Sequence, residues 1–270
     1  MTKIRGARIL VTGASRGIGR AAAVELARRG ASLALAARGR DDLDELADEL
    51  RAGGAEVHTF PTDVSREAEV RALVSDASEA LGGIDVLVNN AGLGLTGPVK
   101  DIKPADFRYV FEVNVMAAHV ATAAVLPQML RRRSGHIVNV GSVASHVAPP
   151  GLGGYAATKF ALKALTDALR MELRPKGVRV SLICPGPIKT EFIENVKGRV
   201  KGHLPSNQIG APVEDAARCI AGAIQHNRAE AFVPAYYQAM VGANAVAPQF
   251  MRLFGADAMR LTTKVAERFL

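Results

Sequence analysis

The chain alternates short apolar segments with segments of helical periodicity, and this alternation limits the folds it can adopt. Apart from their first residues, segments 8–11 and 32–37 are wholly apolar. Apolar strands separated by helices are typical of a parallel sheet that is buried on both faces. The predicted strands are 8–11, 32–37, 57–60, 84–88, 135–140, 178–183 and 231–233, and the predicted helices are 19–29, 41–52, 66–80, 104–130, 155–173 and 212–226.

This order of elements predicts an α/β fold, a single doubly wound parallel sheet with helices on both faces. A chain of 270 residues can form one such domain, so we expect residues 1–270 to fold together. Neither a linker nor a repeat divides the sequence.

Composition excludes several classes of protein. With 49% apolar residues, the chain is typical of globular proteins. Its two cysteines, Cys184 and Cys219, have neither the density of a disulfide framework nor the spacing of a zinc site, so we expect no bound metal. No apolar run approaches the ~20 residues of a membrane span, and residues 1–6 are too short for a signal peptide. We therefore expect a cytoplasmic protein.

The net charge of +8 leaves two interpretations open. It attracts anions such as nucleotide phosphates or anionic lipid, but a solvated basic surface explains it without any partner. Aromatic residues are not interleaved with basic ones, so we expect no nucleic-acid partner.

A glycine-rich segment, TGASRGIG at 12–19, follows the first predicted strand and opens the first predicted helix. Its glycines allow a tight turn, and a helix N-terminus presents N–H groups to phosphate. Glycines also mark ordinary turns, but this placement is typical of a dinucleotide site. The residues predicted to hold the pyrophosphate are Gly13, Ser15, Arg16, Gly17, Ile18 and Gly19.

The residues after the second predicted strand bear on the choice of dinucleotide. An NAD site usually has an acidic residue there, whereas this chain has Arg38 and Arg40. Asp41 is predicted to cap the next helix. Arg16 and Arg38 are predicted to bind a 2′-phosphate through charge-assisted hydrogen bonds, which favours NADP. Alternatively, the arginines after the strand are ordinary surface residues.

Tyr155 and Lys159 lie four residues apart on a predicted helix and share a face. A nearby ammonium favours the phenolate, which would let Tyr155 exchange a proton with a substrate oxygen. Ser142 follows the fifth predicted strand, where ligands collect, and Asn114 is an unusual residue for the middle of a helix. Taken singly, the tyrosine can be a half-buried aromatic residue, and the lysine can lie on a solvated face of the helix.

Together, these motifs resemble the short-chain dehydrogenase/reductase family over residues 7 to about 233, in its NADP(H)-preferring branch, with an extended apolar C-terminal tail. Both their order and their spacing match the family. The matching residues are 12–19, Asp63-Val64, Asn89-Asn90-Ala91-Gly92, Asn114, Ser142, Tyr155-Ala156-Ala157-Thr158-Lys159, Pro185-Gly186 and Thr190.

The resemblance implies an NADP(H)-dependent alcohol dehydrogenase or carbonyl reductase in which Tyr155 handles the proton. Asn114 would carry a water that links Lys159 to solvent. Asp63 and Val64 would bracket the adenine. The implied catalytic residues are Asn114, Ser142, Tyr155 and Lys159. The implied cofactor-binding residues are Gly13, Ser15, Arg16, Gly17, Ile18, Gly19, Arg38, Asp63, Val64, Asn90, Ala91, Gly92, Tyr155, Lys159, Pro185, Gly186, Ile188 and Thr190.

Three apolar segments are expected to line the substrate pocket: 143–154, a lid at 188–210, and the start of a helical extension at 235–270. Such walls favour a lipophilic carbonyl or alcohol, although the same residues can simply pack the lid onto the domain. The expected lining residues include Val147, Pro149, Pro150, Leu152, Phe192, Ile193, Val196, Val200, Tyr236, Tyr237, Met240 and Val241.

The resemblance also implies a homodimer or homotetramer in which helices 104–130 and 155–173 pair. The alanines expected at that contact are Ala117, Ala118, Ala121, Ala124, Ala157, Ala161, Ala164 and Ala168.

Two further alternatives concern function and the tail. A non-catalytic NADP-binding sensor or scaffold can share the fold, but such proteins typically lose the tyrosine or the lysine. The basic, amphipathic segment 248–270 is expected to pack on protein, with contact to an anionic membrane possible but not favoured.

Overall fold

A computed structural model describes residues 2–190, 192, 196–198 and 210–246. Its strands are β1 (Arg8–Thr12), β2 (Ser32–Ala37), β3 (Val57–Pro61), β4 (Val86–Asn89), β5 (Leu95–Thr96), β6 (Gly135–Val140), β7 (Val178–Pro185), β8 (Lys197–Gly198) and β9 (Glu230–Val233). Its helices are α1 (Gly17–Arg28), α2 (Arg40–Ala52), α3 (Glu67–Leu81), α4 (Pro104–Phe111), α5 (Ala117–Arg132), α6 (Gly153–Leu173), α7 (Val213–His226) and α8 (Tyr236–Val246).

Seven parallel strands form the central sheet in the order β3-β2-β1-β4-β6-β7-β9. The order reverses direction between β1 and β4, and ligands bind at such a switch point in open α/β sheets. The predicted doubly wound α/β fold is confirmed.

Both faces of the sheet are buried, which explains the apolar strands. Along β1, Ile9 and Val11 enter one core while Leu10 enters the other, and none of the three is exposed. Full burial of such a side chain contributes about 1.5–3 kcal/mol to stability. The first core is covered by α1, α2 and α7, and the second by α3, α5 and α6.

The predicted elements agree closely with those observed, with a few instructive differences. Asp41 is not the cap of α2, because the helix begins at Arg40 after Gly39, and the aspartate lies in the first turn. The predicted helix 104–130 contains a π-helical turn, Glu112–Met116, between α4 and α5. The paired strands β5 and β8 were not predicted because two residues show no periodicity.

The segment Pro104–Arg132 is, by length and composition alone, apolar enough to cross a membrane, contrary to the expectation that no segment would qualify. Its apolar side chains pack on the sheet: Val120, Val125 and Met129 are buried in the second core. The segment therefore has the character of a core helix.

The same burial corrects one of the two alanine faces expected at a subunit contact. Ala117, Ala118 and Ala121 are buried within their own chain. Neighbouring positions on that segment, including Met116 and His119, are exposed instead. On α6, by contrast, Ala157, Ala164 and Ala168 are exposed, as such a contact requires.

Two predicted segments lie partly outside the described residues. Only 188–190, 192, 196–198 and 210 of the expected lid are described, so Ile193 and Val200 fall outside. The expected extension 235–270 is helical over Tyr236–Val246, and the amphipathic segment 248–270 lies outside the described residues.

A buried histidine generates a prediction about acid stability. Burial lowers the pKa of His136 from 6.5 to about 4, and its Nε2 contacts Ser181 Oγ at 2.8 Å. The unfolded chain therefore gains a proton below pH 6.5 that the folded chain does not gain until about pH 4. His136 should lower the unfolding free energy by about 1.4 kcal/mol per pH unit over this window.

Denaturant unfolding between pH 7 and 4 checks this expectation. His136→Gln should flatten the loss of stability, whereas the exposed His119→Gln should leave the wild-type slope unchanged. Equal slopes in all three proteins would show that His136 does not resist protonation.

Candidate active site

One large cavity, about 1190 Å³ in volume, lies along the carboxyl ends of the central strands. Most residues predicted to bind cofactor or substrate line it. They are Gly13, Ser15, Arg16, Gly17, Ile18, Arg38, Val64, Asn90, Ala91, Gly92, Ser142, Tyr155, Lys159, Pro185, Gly186, Ile188 and Thr190. Three predicted residues, Gly19, Asp63 and Asn114, support the walls without lining them.

The glycine loop packs so closely against the residues after β4 that its backbone leaves no room for side chains. Gly13 has a left-handed φ of +66°, and a Cβ on Gly19 would lie 2.1 Å from the Gly13 carbonyl oxygen. Asn90 Nδ2 donates to the carbonyl oxygens of Thr12 and Gly13, each at 3.0 Å. Thr12 Oγ1 accepts from the backbone N–H of Asn90 at 3.1 Å. These contacts explain both the glycines and Asn90.

The loop fits a dinucleotide pyrophosphate. It leads directly into α1, and the N-cap residue Arg16 makes no side-chain hydrogen bond to the first turn of that helix. The first-turn N–H groups and the positive end of the helix dipole suit a phosphate. A Cβ on Gly13 would lie 2.8 Å from Ala91 Cα. The glycine loop can therefore form a cradle for phosphate only because glycine has no side chain.

Arg16 and Arg38 lie where the adenosine half of the cofactor is expected, and an acidic residue, Asp42, lies closer to them than the sequence suggests. Arg16 Nη2 is 2.9 Å from Asp42 Oδ2, a carboxylate in the first turn of α2 that also lines the cavity. Arg38 Nη1 is 3.5 Å from Tyr109 Oη. A 2′-phosphate bound here would therefore meet Arg38 directly and would share Arg16 with Asp42.

Asp63 is an anchor for the loop after β3. Its Oδ1 accepts from the N–H of Ser65 at 3.0 Å and from the Ser65 hydroxyl at 2.8 Å. Burial acts to raise its pKa, but the hydrogen bonds from Ser65 and the charge of Arg38 outweigh it and lower the pKa. The neighbouring residues Thr62 and Val64 reach the cavity, and Thr62 was missed by the sequence analysis.

Tyr155, Ser142 and Lys159 lie together in the wall of the cavity. Burial raises the pKa of Tyr155 to about 12, although a hydrogen bond with Ser142 opposes the shift. Lys159 Nζ donates to the Val140 carbonyl oxygen at 2.9 Å and lies 5.7 Å from the Tyr155 ring centroid. Burial lowers the pKa of Lys159 to about 8. In this structure burial thus outweighs the expected stabilisation of the phenolate by Lys159.

The Ser142 hydroxyl is oriented by the backbone around it. Its Oγ accepts from the N–H of Ala144 at 3.0 Å and lies within hydrogen-bond distance, 3.3 Å, of the Pro185 carbonyl oxygen. The serine caps the short turn Val143–Ser145, which fixes its rotamer beside the tyrosine. Position and geometry suit a group that holds a substrate oxygen.

Asn114 joins three parts of the site from the π-helical turn. Its Oδ1 accepts from the N–H of Leu93 at 2.7 Å, and its Nδ2 donates to the Leu93 carbonyl oxygen at 2.9 Å and to Thr158 Oγ1 at 3.0 Å. Both amide N–H groups have protein partners, which leaves one lone pair of Oδ1 for the water expected from the family. The side chain also ties the loop after β4 to α6.

The remaining walls are largely apolar and only partly as predicted. Of the expected tail residues, Tyr237 and Met240 line the cavity, but Tyr236 and Val241 do not. Leu95 and Thr96 were missed because they lie in the two-residue strand β5. The predicted wall residues that do line it are Val147, Pro149, Pro150, Leu152, Phe192 and Val196.

Comparison with known proteins now gives the family. Residues 7–200 match the family described as short chain dehydrogenase. This chain belongs to that family. Oxidoreductase UcpA of Salmonella typhimurium is 40% identical over 197 residues, which cover 73% of this chain and 74% of the relative. Estradiol 17-beta-dehydrogenase 11 of Rattus norvegicus is 36% identical over 237 residues, 86% of this chain and 76% of the relative.

Solved structures agree on the fold and differ in cofactor. A short-chain dehydrogenase/reductase from Burkholderia phymatum, in complex with NAD, has a TM-score of 0.84 and 32% identity and covers 93% of this chain and 96% of its own. A short-chain dehydrogenase from Sphingobium yanoikuyae, in complex with NADPH, has a TM-score of 0.79 and 30% identity, with coverages of 91% and 95%. The protein described here is therefore an oxidoreductase of the short-chain dehydrogenase family, and its glycine loop suits a nucleotide cofactor.

The glycine cradle generates a direct prediction. Gly19→Ala places a Cβ against the Gly13 carbonyl and Asn90 Nδ2, so the loop must move and dinucleotide affinity should fall at least tenfold. Gly222→Ala is the matched control, because a Cβ there meets nothing within 4 Å. The control should be neutral or stabilising by up to about 1 kcal/mol. Fluorescence titration with NADPH measures both, and equal affinities would contradict this role for Gly19.

Proposed function

We propose that this oxidoreductase uses NADP(H) to interconvert an apolar carbonyl compound and its alcohol, with Tyr155 as the general acid and base. The observation that carries the proposal is the placement of the Tyr155 phenol, with Ser142 and Lys159, in a cavity whose other walls are mainly apolar. Apolar walls with few polar groups suit a lipophilic substrate. The relative named for estradiol supports the same substrate class.

The proton chemistry follows from the phenol of Tyr155 in the cavity wall, which is protonated at neutral pH at its ordinary pKa and more firmly so at the raised one. At neutral pH the phenol keeps its proton, so it can donate that proton to a carbonyl oxygen during reduction. When bound, the nicotinamide supplies or accepts the hydride. The Ser142 hydroxyl donates a hydrogen bond to the same oxygen and keeps it within reach of the phenol.

Lys159 has two proposed tasks at this site. Its ammonium lies near the Tyr155 ring and lowers the cost of forming the phenolate after the proton has left. It would also hold the nicotinamide ribose. A water on Asn114 would then return a proton from solvent through Lys159 to the phenolate.

Removing the phenol hydroxyl tests this mechanism. Tyr155→Phe should lower kcat for ketone reduction at least a thousandfold and leave NADPH affinity within a few fold, because the hydroxyl serves the proton transfer. Tyr236→Phe is the control, since that ring is 65% exposed and does not line the cavity. Retained turnover in Tyr155→Phe would remove Tyr155 from the mechanism, whereas an unmodified protein that binds NADPH without oxidising it in the presence of any ketone would favour the non-catalytic alternative.

The preference for NADP(H) rests on Arg16 and Arg38 at the adenosine end. Each charge-assisted hydrogen bond to a 2′-phosphate contributes roughly 1.5–3 kcal/mol. Asp42 opposes the preference, because its carboxylate pairs with Arg16 and would lie near the phosphate.

Two substitutions of opposite sign test the cofactor preference. Arg38→Asp should abolish or reverse the preference for NADPH over NADH, whereas Asp42→Asn should increase it severalfold. The ratio of Kd values for the two cofactors measures both effects. Equal binding of NADPH and NADH by the unmodified protein would contradict the assignment of these arginines.

We also propose that the protein forms a homodimer through α6 and the segment that contains α4 and α5. The π-helical turn and α6 leave Met116, Phe160 and Leu165 exposed by 36%, 42% and 43%. Together with the exposed alanines of α6, these large apolar side chains form the expected contact in place of the buried alanines of α5.

Light scattering at micromolar concentration tests the dimer. Phe160→Asp combined with Leu165→Asp should halve the measured mass, because two charges would be buried without partners. Val99→Asp, at another exposed apolar residue, should keep the wild-type mass. A monomeric wild-type protein would contradict the proposal.

A further inference from the structure

Three side chains that have no part in the proposed reaction meet beside the cavity, and one of them, His146, lines it. His146 follows the turn Val143–Ser145, Cys184 lies near the end of β7, and Glu230 begins β9. His146 Nε2 lies 2.8 Å from Glu230 Oε1, and Cys184 Sγ lies 3.7 Å from Nε2 and 3.5 Å from Oε1. At least 38 residues separate any two of them, so no local motif reveals the cluster.

The three donor atoms suit a tetrahedral zinc ion. Zinc takes imidazole nitrogen and carboxylate oxygen at about 2.0–2.1 Å and thiolate sulfur at about 2.3 Å. Those lengths give donor separations of about 3.6 Å to sulfur and about 3.4 Å between nitrogen and oxygen. Both observed distances from Cys184 match already, and the distance between His146 and Glu230 must open by about 0.6 Å.

Charge and access also suit a divalent cation. A Cys184 thiolate and a Glu230 carboxylate together balance a charge of +2, so the filled site is neutral. Cys184 is buried, but the His146 side chain is 12% exposed and Glu230 is 33% exposed. His146 also lines the cavity. An ion therefore reaches the donors without unfolding the sheet.

We propose that His146, Cys184 and Glu230 form a binding site for Zn²⁺ or a similar borderline-soft divalent ion, with a fourth position left for water. Binding releases the thiol proton to solvent and needs a neutral imidazole that carries its proton on Nδ1. Hard ions such as Mg²⁺ prefer an all-oxygen site and are excluded by the thiolate and imidazole. The ion would join β7 and β9 to the loop after β6, whose His146 lines the cavity. This inference does not depend on the proposed cofactor or substrate.

Titration of the untagged full-length protein with Co²⁺ tests the site without any measurement of turnover. We expect one Co²⁺ to bind per chain and to give a thiolate-to-cobalt charge-transfer band. The visible absorption bands should have the intensity typical of four-coordinate Co²⁺. One equivalent of Zn²⁺ should displace the cobalt and abolish these bands. Mg²⁺ should not displace the cobalt. Absence of a charge-transfer band would overturn the proposal and leave a hydrogen-bonded cluster.

Variants identify the ligands. Cys184→Ser should abolish the charge-transfer band, and Cys219→Ser, which alters the other free cysteine, should retain it. Because serine at the buried position can impair folding, His146→Gln and Glu230→Gln provide a second test that leaves the thiol intact. Each should weaken Co²⁺ binding at least tenfold with unchanged circular dichroism. Unchanged affinity in both, or a band lost in Cys219→Ser instead, would overturn the assignment.

Discussion

The active site depends on a lysine ammonium that is kept inside the protein. Lys159 is 4% exposed, donates to the Val140 carbonyl at the end of β6, and lies beside the Tyr155 ring. Burial lowers the pKa of Lys159 to about 8 and raises that of Tyr155 to about 12, so each residue resists its charged form. At neutral pH the lysine nevertheless stays mainly protonated, whereas the phenol stays neutral. The phenol therefore needs a further positive charge to ionise, and an oxidised nicotinamide would supply one. In the proposed mechanism, cofactor binding and proton transfer are therefore coupled.

The central sheet brings the cofactor loop and the proposed catalytic residues together, although they lie far apart in the sequence. Parallel strands end at one edge, so the loops after β1, β4, β6 and β7 all reach the same cavity. Asn90 binds the first two of these loops to each other, and Asn114 binds the second to α6. Two asparagine side chains therefore fix the position of the glycine loop relative to α6, the helix that carries Tyr155 and Lys159.

Sequence patterns predicted the features that local spacing determines. The glycine loop, the four-residue separation of Tyr155 and Lys159, and the apolar strands are all local signals, and the fold and the cavity lining agree with them. Contacts between distant residues could not be predicted in the same way. The pairing of Arg16 with Asp42 depends on how α2 packs, and Leu95 lies in a strand too short to show a period. Burial of alanines such as Ala121 depends on which helix face meets the sheet, which a stripe of small residues does not indicate.

The pKa of Tyr155 in the presence and absence of NADP⁺ tests the central claim most directly. Tyrosine labelled with ¹³C at Cζ reports ionisation of the phenol by NMR, and Tyr155→Phe assigns the signal. We expect a pKa close to 12 in the protein alone. With NADP⁺ bound, the pKa should be lower by about two pH units or more, because the added positive charge favours the phenolate. An ordinary pKa near 10 in the protein alone, or a pKa that NADP⁺ leaves unchanged, would contradict the coupling between cofactor and proton.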